Sequence, residues 1–283
     1  MPPRTLRGYR LLAPGAGIPL PSAAAQSSAR PGNPLAGFVG YLRSLLFTIP
    51  SIYLLTILWG TLSAFAALVD ASGRLQHRCA RYWARCLLAV CGIRVRLRGA
   101  DQITPGATYV WTANHQSYLD IPVVFAWLPA DFRIMAKASL FPIPFLGWHL
   151  RRSGHMPVVR DNPSRAARSL LAAAGHVRRG TAVFIFPEGG RSPDGQIREF
   201  RAGAFLLAIK AERPVVPVTI RGTRAALPMH SWNVRPARVD LILHAPIPTA
   251  GMSSRSSELL AAQVRDVIAR DLDTPTPGRP AWK

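Results

Sequence analysis

The stretch that decides the fold is Ala182-Val183-Phe184-Ile185-Phe186-Pro187-Glu188-Gly189-Gly190-Arg191-Ser192. Its first five residues are all apolar, which is typical of a strand that is buried on both faces of a parallel sheet. The two glycines that follow let the backbone approach a ligand closely and expose N–H groups. Arg191 can hold a phosphate through a bidentate pair. The stretch therefore predicts an α/β protein with an anion-binding turn after a buried strand.

A second polar segment, Asn114-His115-Gln116-Ser117-Tyr118-Leu119-Asp120, follows a strand predicted over 108–113. His115 can act as a general base near neutral pH, and Asp120 can fix its tautomer. Residues five apart lie about 140° apart around a helix, so the pair requires His115 in the loop and Asp120 in the first helical turn. Pro122 favours a helix start there. In the alternative interpretation, Asp120 only caps the helix and His115 is an ordinary loop histidine.

The rest of the chain alternates between strand and helix patterns. Further strands are predicted over 93–98, 132–136, 215–220 and 238–244, and helices from Pro163 to about 179 and from Ser257 onward. This order favours one layered α/β domain. We assign residues 93–250 to the catalytic domain and residues 251–283 to a C-terminal helix and a Pro-rich tail.

The N-terminal third carries a membrane signal. Residues 44–69 form a run of 26 residues without a charged side chain, and a helix of that length reaches roughly 39 Å. Residues 75–91 form a basic amphipathic helix of the kind that lies on an anionic membrane. We assign residues 1–37 to a disordered basic tail and 38–92 to membrane-associated helices. Arginines flank the apolar run on both sides, so spanning and in-plane arrangements stay open, and a buried core helix is the remaining alternative.

The charge balance favours an anionic partner. Lys plus Arg number 35 against 14 Asp plus Glu, giving a formal charge of +21. Phospholipid head groups, an acidic carrier and nucleic acid all fit that charge. The arginines are spread along the chain without an aromatic-basic stacking pattern, so we expect no nucleic acid, and a membrane-tethered nucleic-acid binder is kept as the alternative of another class. The three cysteines match no zinc pattern and no disulfide framework.

The two polar segments together resemble the glycerophospholipid acyltransferase family, whose lysophosphatidate acyltransferases make phosphatidate. The family's first motif, Asn-His-x4-Asp, is matched in full. Its third, Phe-Pro-Glu-Gly-Thr-Arg-Ser, is matched except that Gly190 replaces the usual Thr. Residues 154–160 and 216–218 resemble the second and fourth motifs. Lys137 resembles the lysine of a family Ala-Lys that precedes Pro-x-x-Gly, although Ser139 stands where an acidic residue is usual.

The resemblance implies an acyltransferase domain that uses an acyl thioester, on coenzyme A or acyl carrier protein, as co-substrate, without a cofactor or metal. His115 and Asp120 would be catalytic, and Glu188 would orient Arg191 or contact an acceptor hydroxyl. The substrate-binding residues are Lys137, Arg160, Glu188, Gly189, Gly190 and Arg191. The acceptor is a lysophospholipid, first lysophosphatidate; lyso-ornithine lipid, another lysolipid and glycerol-3-phosphate are alternatives, and a non-catalytic lipid binder is a third class. The implied location is a bacterial inner membrane, with the catalytic domain facing the cytoplasm.

Overall fold

The computed structural model describes residues 34–159 and 162–273. Seven strands form one sheet, and five of them, in the order β6-β2-β5-β3-β4, run parallel to one another. Strand β7 is antiparallel to β6 and pairs in parallel with β1 at the edge. The strands are β1 (Ile93–Arg98), β2 (Val110–Ala113), β3 (Phe132–Lys137), β4 (Met156–Val158), β5 (Ala182–Ile185), β6 (Val215–Arg221) and β7 (Ala237–Leu243).

Helices cover both faces of the sheet. One hydrophobic core contains Trp111 and Phe184 with residues of α3 and α4, and the other contains Val183 and Phe205 with residues of α6, α7 and α9. The predicted layered α/β fold is therefore confirmed. The helices are α3 (Arg74–Val90), α4 (Asp120–Trp127), α5 (Leu146–Arg152), α6 (Pro163–Arg178), α7 (Gly203–Ala211), α8 (Thr223–Ala226) and α9 (Ser257–Asp273).

Most predicted elements lie where the sequence indicates. All six predicted strands form, although β2 begins at Val110 rather than at residue 108. The predicted helix after Pro163 is capped by Asn162, whose Oδ1 accepts a hydrogen bond from the backbone N–H of Arg165 at 2.9 Å. Strand β4 and helices α5, α7 and α8 are additions that the sequence patterns did not predict.

The N-terminal segment is one long helical path. It consists of α1 (Pro34–Arg43), a π-helical turn (Ser44–Thr48) and α2 (Ile49–Val69). By length and composition, Gly37–Val69 is long and apolar enough to cross a membrane, and only 11% of its most apolar window is buried. That exposure argues against the buried core helix. The helix begins four residues inside the predicted tail 1–37, and the rest of that tail lies outside the described residues.

Side-chain contacts hold this helix along the catalytic domain. Near its start, Arg43 Nη2 donates to the carbonyl of Val234 at 2.7 Å. In its middle, Trp83 Nε1 of α3 donates to Thr56 Oγ1 at 3.2 Å. Ser63 Oγ lies 2.7 Å from His149 Nδ1 of α5. The helix is thus tied to the domain at several points over its length.

Helix α3 does not have the role that its amphipathic pattern predicts. Its buried residues, among them Ala84, Leu87 and Leu88, belong to the hydrophobic core that includes α4 and the sheet. Arg81, on the same helix, donates to the carbonyls of Leu128 and Ala130. The apolar face therefore contacts the protein itself, and a membrane can meet only the exposed side of α3.

Two neighbouring histidines lie beneath the contact between α2 and α5. The rings of His149 and His155 are 5.3 Å apart, and His155 Nδ1 accepts a hydrogen bond from the backbone N–H of Ile134 at 3.0 Å. Burial lowers the pKa of His149 to about 4 and the pKa of His155 well below its usual value, and nearby Arg133 lowers both further. Both rings are therefore neutral at pH 7.

Candidate active site

The carboxyl end of β2 is joined to β6 by a side chain. Asn114 Nδ2 donates to the carbonyl of Ile220 at 2.8 Å, and Asn114 Oδ1 accepts from the N–H of Ile220 at 2.8 Å. The amide side chain thus continues the hydrogen-bond ladder by one more rung, which fixes the point at which the chain leaves the sheet. This contact explains why an asparagine precedes His115.

His115 and Asp120 have the geometry that a catalytic pair requires. His115 lies in the loop after β2, and Asp120 is the first residue of α4. His115 Nδ1 is 2.7 Å from Asp120 Oδ2. The same oxygen accepts the backbone N–H groups of Gln116 at 2.7 Å and Ser117 at 2.8 Å. Asp120 therefore both orders the loop and orients the imidazole. The capping role of Asp120 and its pairing with His115 are compatible.

The surroundings of the imidazole leave one nitrogen open. The His115 ring stacks on Phe186 with centroids 4.0 Å apart, and its side chain is 12% exposed. Within residues 34–159 and 162–273, Nε2 has no hydrogen-bond partner. Because Nδ1 faces a carboxylate and therefore carries the proton, Nε2 is the nitrogen that can accept a proton from a bound substrate.

Glu188 connects the two polar segments. Its Oε1 accepts the backbone N–H of His115 at 2.7 Å, and its Oε2 accepts the N–H of Arg198 at 3.2 Å. Burial raises the pKa of Glu188 to about 7, against the opposing effect of these two hydrogen bonds. No hydrogen bond or ion pair joins Glu188 to Arg191 within the described residues; the contacts of the two carboxylate oxygens are with backbone N–H groups. A second link joins the segments, since Ser192 N donates to the carbonyl of His115 at 2.8 Å.

The two glycines of the turn differ in their requirements. Gly189 has φ +72°, and a Cβ there would lie 2.8 Å from Arg201 Nε. Its N–H donates to the carbonyl of Phe186 at 3.1 Å, so that this N–H stabilises the turn. A Cβ at Gly190 would lie 3.5 Å from Arg198 Nη1, which is an ordinary contact. An added Cβ would therefore fit at Gly190.

Arg191 is poised for an anion. Its Cζ lies 3.4 Å from the centroid of the Tyr118 ring, a cation–π contact. Its Nη1 is buried and has no hydrogen-bond partner among the described residues. A buried N–H without an acceptor costs free energy, which a ligand oxygen would recover. A bound phosphate or carboxylate would supply that acceptor.

Two of the predicted site residues have no contact with the catalytic pair in the described residues. Lys137 ends β3, which runs parallel to β5; its side chain is exposed and makes no hydrogen bond or ion pair in the described part of the chain. Arg160 lies outside the described residues. Sequence reasoning missed Tyr118 and Phe186 as ring partners and missed the arginines that surround the glycine turn. Phe186 had a signal, its place directly before the Pro-Glu-Gly turn; the others depend on contacts across the fold. The surrounding arginines are Arg198 and Arg201.

Comparisons with known proteins show the class to which this fold belongs. The model of the acyltransferase family matches residues 94–221, which contain both polar segments. A crystal structure of the 1-acyl-sn-glycerophosphate acyltransferase of Thermotoga maritima superposes with a TM-score of 0.70 at 26% identity, covering 85% of this chain and 96% of that one. The fold and the site thus define an acyltransferase.

Relatives narrow the class. A 1-acyl-sn-glycerol-3-phosphate acyltransferase of Chlamydomonas reinhardtii is 32% identical over 92% of this chain and 76% of its own length. One of Saccharomyces cerevisiae is 30% identical over 83% of this chain and 78% of its own length. The chain belongs to the family of 1-acyl-sn-glycerol-3-phosphate acyltransferases. This membership and the apolar helix indicate association with a membrane.

Proposed function

We propose that this protein transfers an acyl group from an acyl thioester to the free hydroxyl of lysophosphatidate and so forms phosphatidate. The observation that carries the proposal is the 2.7 Å contact between His115 Nδ1 and Asp120 Oδ2, with Nε2 left open. The names of the relatives in two kingdoms support the acceptor. Coenzyme A or acyl carrier protein is the thiol carrier.

The reaction needs one base and no covalent enzyme intermediate. His115 Nε2 removes the proton from the acceptor hydroxyl, and Asp120 stabilises the imidazolium that forms. The acceptor oxygen attacks the thioester carbonyl and forms the C–O bond of the new ester. The C–S bond then breaks, and the thiolate leaves with the proton that His115 returns. Phe186 fixes the plane of the ring, so that Nε2 keeps its direction through both transfers.

Arg191 selects the acceptor. Its unpaired Nη1 can bind the phosphate of lysophosphatidate, and Tyr118 holds the guanidinium in place. A phosphate monoester offers several charged oxygens to one guanidinium, whereas a lyso-ornithine lipid has no phosphate. Lysophosphatidate therefore fits the site better than the other lysolipids. The backbone N–H groups of Gly190 and Arg191 have no acceptor among the described residues, so they can also donate hydrogen bonds to the phosphate.

The proposed location is the cytoplasmic face of a bacterial inner membrane, where acyl carriers are present. The helix Gly37–Val69 is bound to the domain through Arg43, Thr56 and Ser63. A helix that crossed the bilayer would draw the adjoining α5, with the charged side chains of Arg151 and Arg152, into hydrocarbon, where charged groups are costly. We therefore expect the helix to lie in one leaflet, with its exposed apolar side in the lipid.

The test is acyl transfer by purified membranes that contain the protein. The acceptor is lysophosphatidate, the donor is a long-chain acyl-coenzyme A, and the variants are His115→Ala and, as a matched control, the exposed His176→Ala of α6. Loss of turnover in His115→Ala alone supports the reaction and the base. Unchanged turnover in His115→Ala contradicts the mechanism. If the folded wild-type protein gives no turnover, lysophosphatidate or coenzyme A is not its substrate, and the other lysolipids and acyl carrier protein follow as substrates in the same assay.

A further inference from the structure

An open groove of about 500 Å³ lies beside the candidate active site, in the segment that follows β6. Its lining contains two arginines and no acidic residue. The remaining lining is glycine, alanine and proline, which present small apolar surfaces. The lining residues are Gly222, Arg224, Ala225, Pro228 and Arg235.

The active-site turn holds the first arginine in position. Arg224 Nη1 donates to the carbonyls of Pro193 at 2.6 Å and Ser192 at 3.4 Å. Gly195 has φ +88°, and a Cβ there would lie 2.8 Å from Arg224 Cδ. The absence of a side chain at Gly195 thus makes room for Arg224. A guanidinium that is fixed in this way loses little further freedom when it binds a ligand.

The second arginine has no counter-charge. The backbone N–H of Arg235 donates to the carbonyl of Ala226 at 2.8 Å, which fixes this side of the groove. The Arg235 side chain is exposed, and its guanidinium makes no ion pair or hydrogen bond within the described ranges. Arg224 interacts with the Asp194 carboxylate beside the turn, whereas Arg235 has no such partner among the described residues. Two arginines that line one groove still leave it with excess positive charge, which an anion between them would offset. The groove therefore suits a ligand with more than one negative charge.

The groove and the catalytic pair are neighbours. Gln116, which follows His115, donates through Nε2 to the carbonyl of Gly195 at 2.7 Å. Gly195 in turn lies beside Arg224, since a Cβ added at Gly195 would be 2.8 Å from Arg224 Cδ. A ligand that occupies the groove can therefore extend along this short chain of contacts to the imidazole. Pro228 and Ala225 offer an apolar surface that a flat ring system can cover.

We propose that this groove binds the nucleotide end of a coenzyme A donor, namely its adenosine with a 3′-phosphate and a 5′-diphosphate. The proposal rests on the proposed function, which requires an acyl thioester. Arg224 and Arg235 bind the phosphates, and the adenine lies on Pro228. The pantetheine arm passes Gly195 and presents the thioester to the acceptor at His115. An acyl carrier protein has no adenosine phosphates and would leave the groove without its ligand.

The kinetic test uses the full-length protein with two donors, palmitoyl-coenzyme A and palmitoyl-pantetheine, which lacks the nucleotide. The variants are Arg235→Ala and, as a matched control, Arg255→Ala, an exposed arginine between β7 and α9 that lines no part of the groove. Arg235→Ala should raise KM for palmitoyl-coenzyme A about tenfold, the loss of one charge-assisted contact, and leave KM for palmitoyl-pantetheine unchanged. Arg255→Ala should change neither. An equal rise for both donors, or no rise for palmitoyl-coenzyme A, overturns the assignment.

A binding test separates this proposal from the reaction itself. Adenosine 3′,5′-bisphosphate is titrated into the same three proteins in a calorimeter, without acceptor or thioester. The wild-type protein and Arg255→Ala should bind it with equal affinity, and Arg235→Ala about tenfold more weakly. If the wild-type protein does not bind the nucleotide but transfers acyl groups from acyl carrier protein, the groove proposal fails and the proposed function stands. If it binds the nucleotide but transfers no acyl group from any donor, the proposed function fails and the nucleotide site stands.

Discussion

Replacing Asp120 by Asn should remove most of the turnover while leaving the fold intact. The carboxylate oxygen Oδ2 accepts a hydrogen bond from the imidazole Nδ1 at 2.7 Å and two more from backbone N–H groups at 2.7 and 2.8 Å. An asparagine oxygen can accept all three hydrogen bonds. The substitution therefore keeps these three hydrogen bonds and removes the negative charge beside His115; it also places the amide Nδ2 where Oδ1 is buried without a partner among the described residues.

The magnitude follows from the distance between the charges. The centres of an imidazolium and of the Asp120 carboxylate would be about 4 Å apart, and their interaction at an effective dielectric constant of about 20 is about 4 kcal/mol. That interaction exists only after His115 has taken the proton, so its loss raises the barrier of the transfer step. The expected decrease in kcat is roughly 10³-fold. Release of the free thiol, followed with a thiol reagent at saturating donor and acceptor, measures it.

Two controls make the result interpretable. The exposed Asp101→Asn should have wild-type kcat, and the thermal unfolding midpoint of Asp120→Asn should lie within a few degrees of wild type, since a change of 1 kcal/mol shifts the midpoint of a domain this size by about 2–4 °C. A kcat within tenfold of wild type, or a loss seen only in the acceptor KM, would refute the argument that Asp120 stabilises a charged His115.

Two further predictions concern stability. Gly189→Ala should lower the free energy of unfolding by about 1 kcal/mol or more, because the φ of Gly189 is +72° and the new Cβ would press on Arg201. Gly190, whose φ is outside the left-handed region, is the control, and Gly190→Ala should change the free energy of unfolding by less than about 0.5 kcal/mol. Equal losses for the two variants in denaturant unfolding would contradict this prediction. Burial lowers the pKa of His149 from 6.5 to about 4. Between these two pH values the unfolded chain binds a proton at His149 that the folded chain does not. The free energy of unfolding therefore falls as pH drops from 6.5 toward 4, and the His149 contribution to it is nearly constant at higher pH. His149 should account for about 2 kcal/mol of the loss between pH 7 and pH 5, and His155, whose pKa burial also lowers, adds to that loss. His149→Gln should therefore reduce the slope of unfolding midpoint against pH; an unchanged slope would count against the buried neutral ring.

Local patterns were sufficient for the framework of the fold and for part of the site. The apolar run 182–186 predicts a buried strand because every one of its residues must be covered by a neighbour. Pro122 predicts a helix start near Asp120, which places His115 in the preceding loop and Asp120 in the first helical turn. Each of these signals lies within a few residues of the feature that it predicts.

The remaining features depend on partners that are distant in sequence. Asn114 bonds to Ile220, 106 residues away, and no local pattern indicates that pairing. Helix α7 is buried on nearly all sides, so its residues show no amphipathic period, and β4 has only three residues. The apolar face of α3 has the same pattern whether it covers a membrane or a protein core. Sequence alone therefore could not decide between those two surroundings.

The long N-terminal helix has a practical consequence for handling the protein. Ser44 is fully buried, and its hydroxyl accepts a hydrogen bond from the backbone N–H of Val234 at 3.0 Å. Gly60 packs so closely on Phe145 that an added Cβ would lie 2.9 Å from the Cβ of Phe145. The helix is therefore part of the folded body and not a removable tether. We expect truncation before α3 to expose the apolar surfaces of α3 and α5 that this helix covers, and the shortened protein to aggregate. The full-length protein in detergent or lipid nanodiscs is therefore the better route to soluble material.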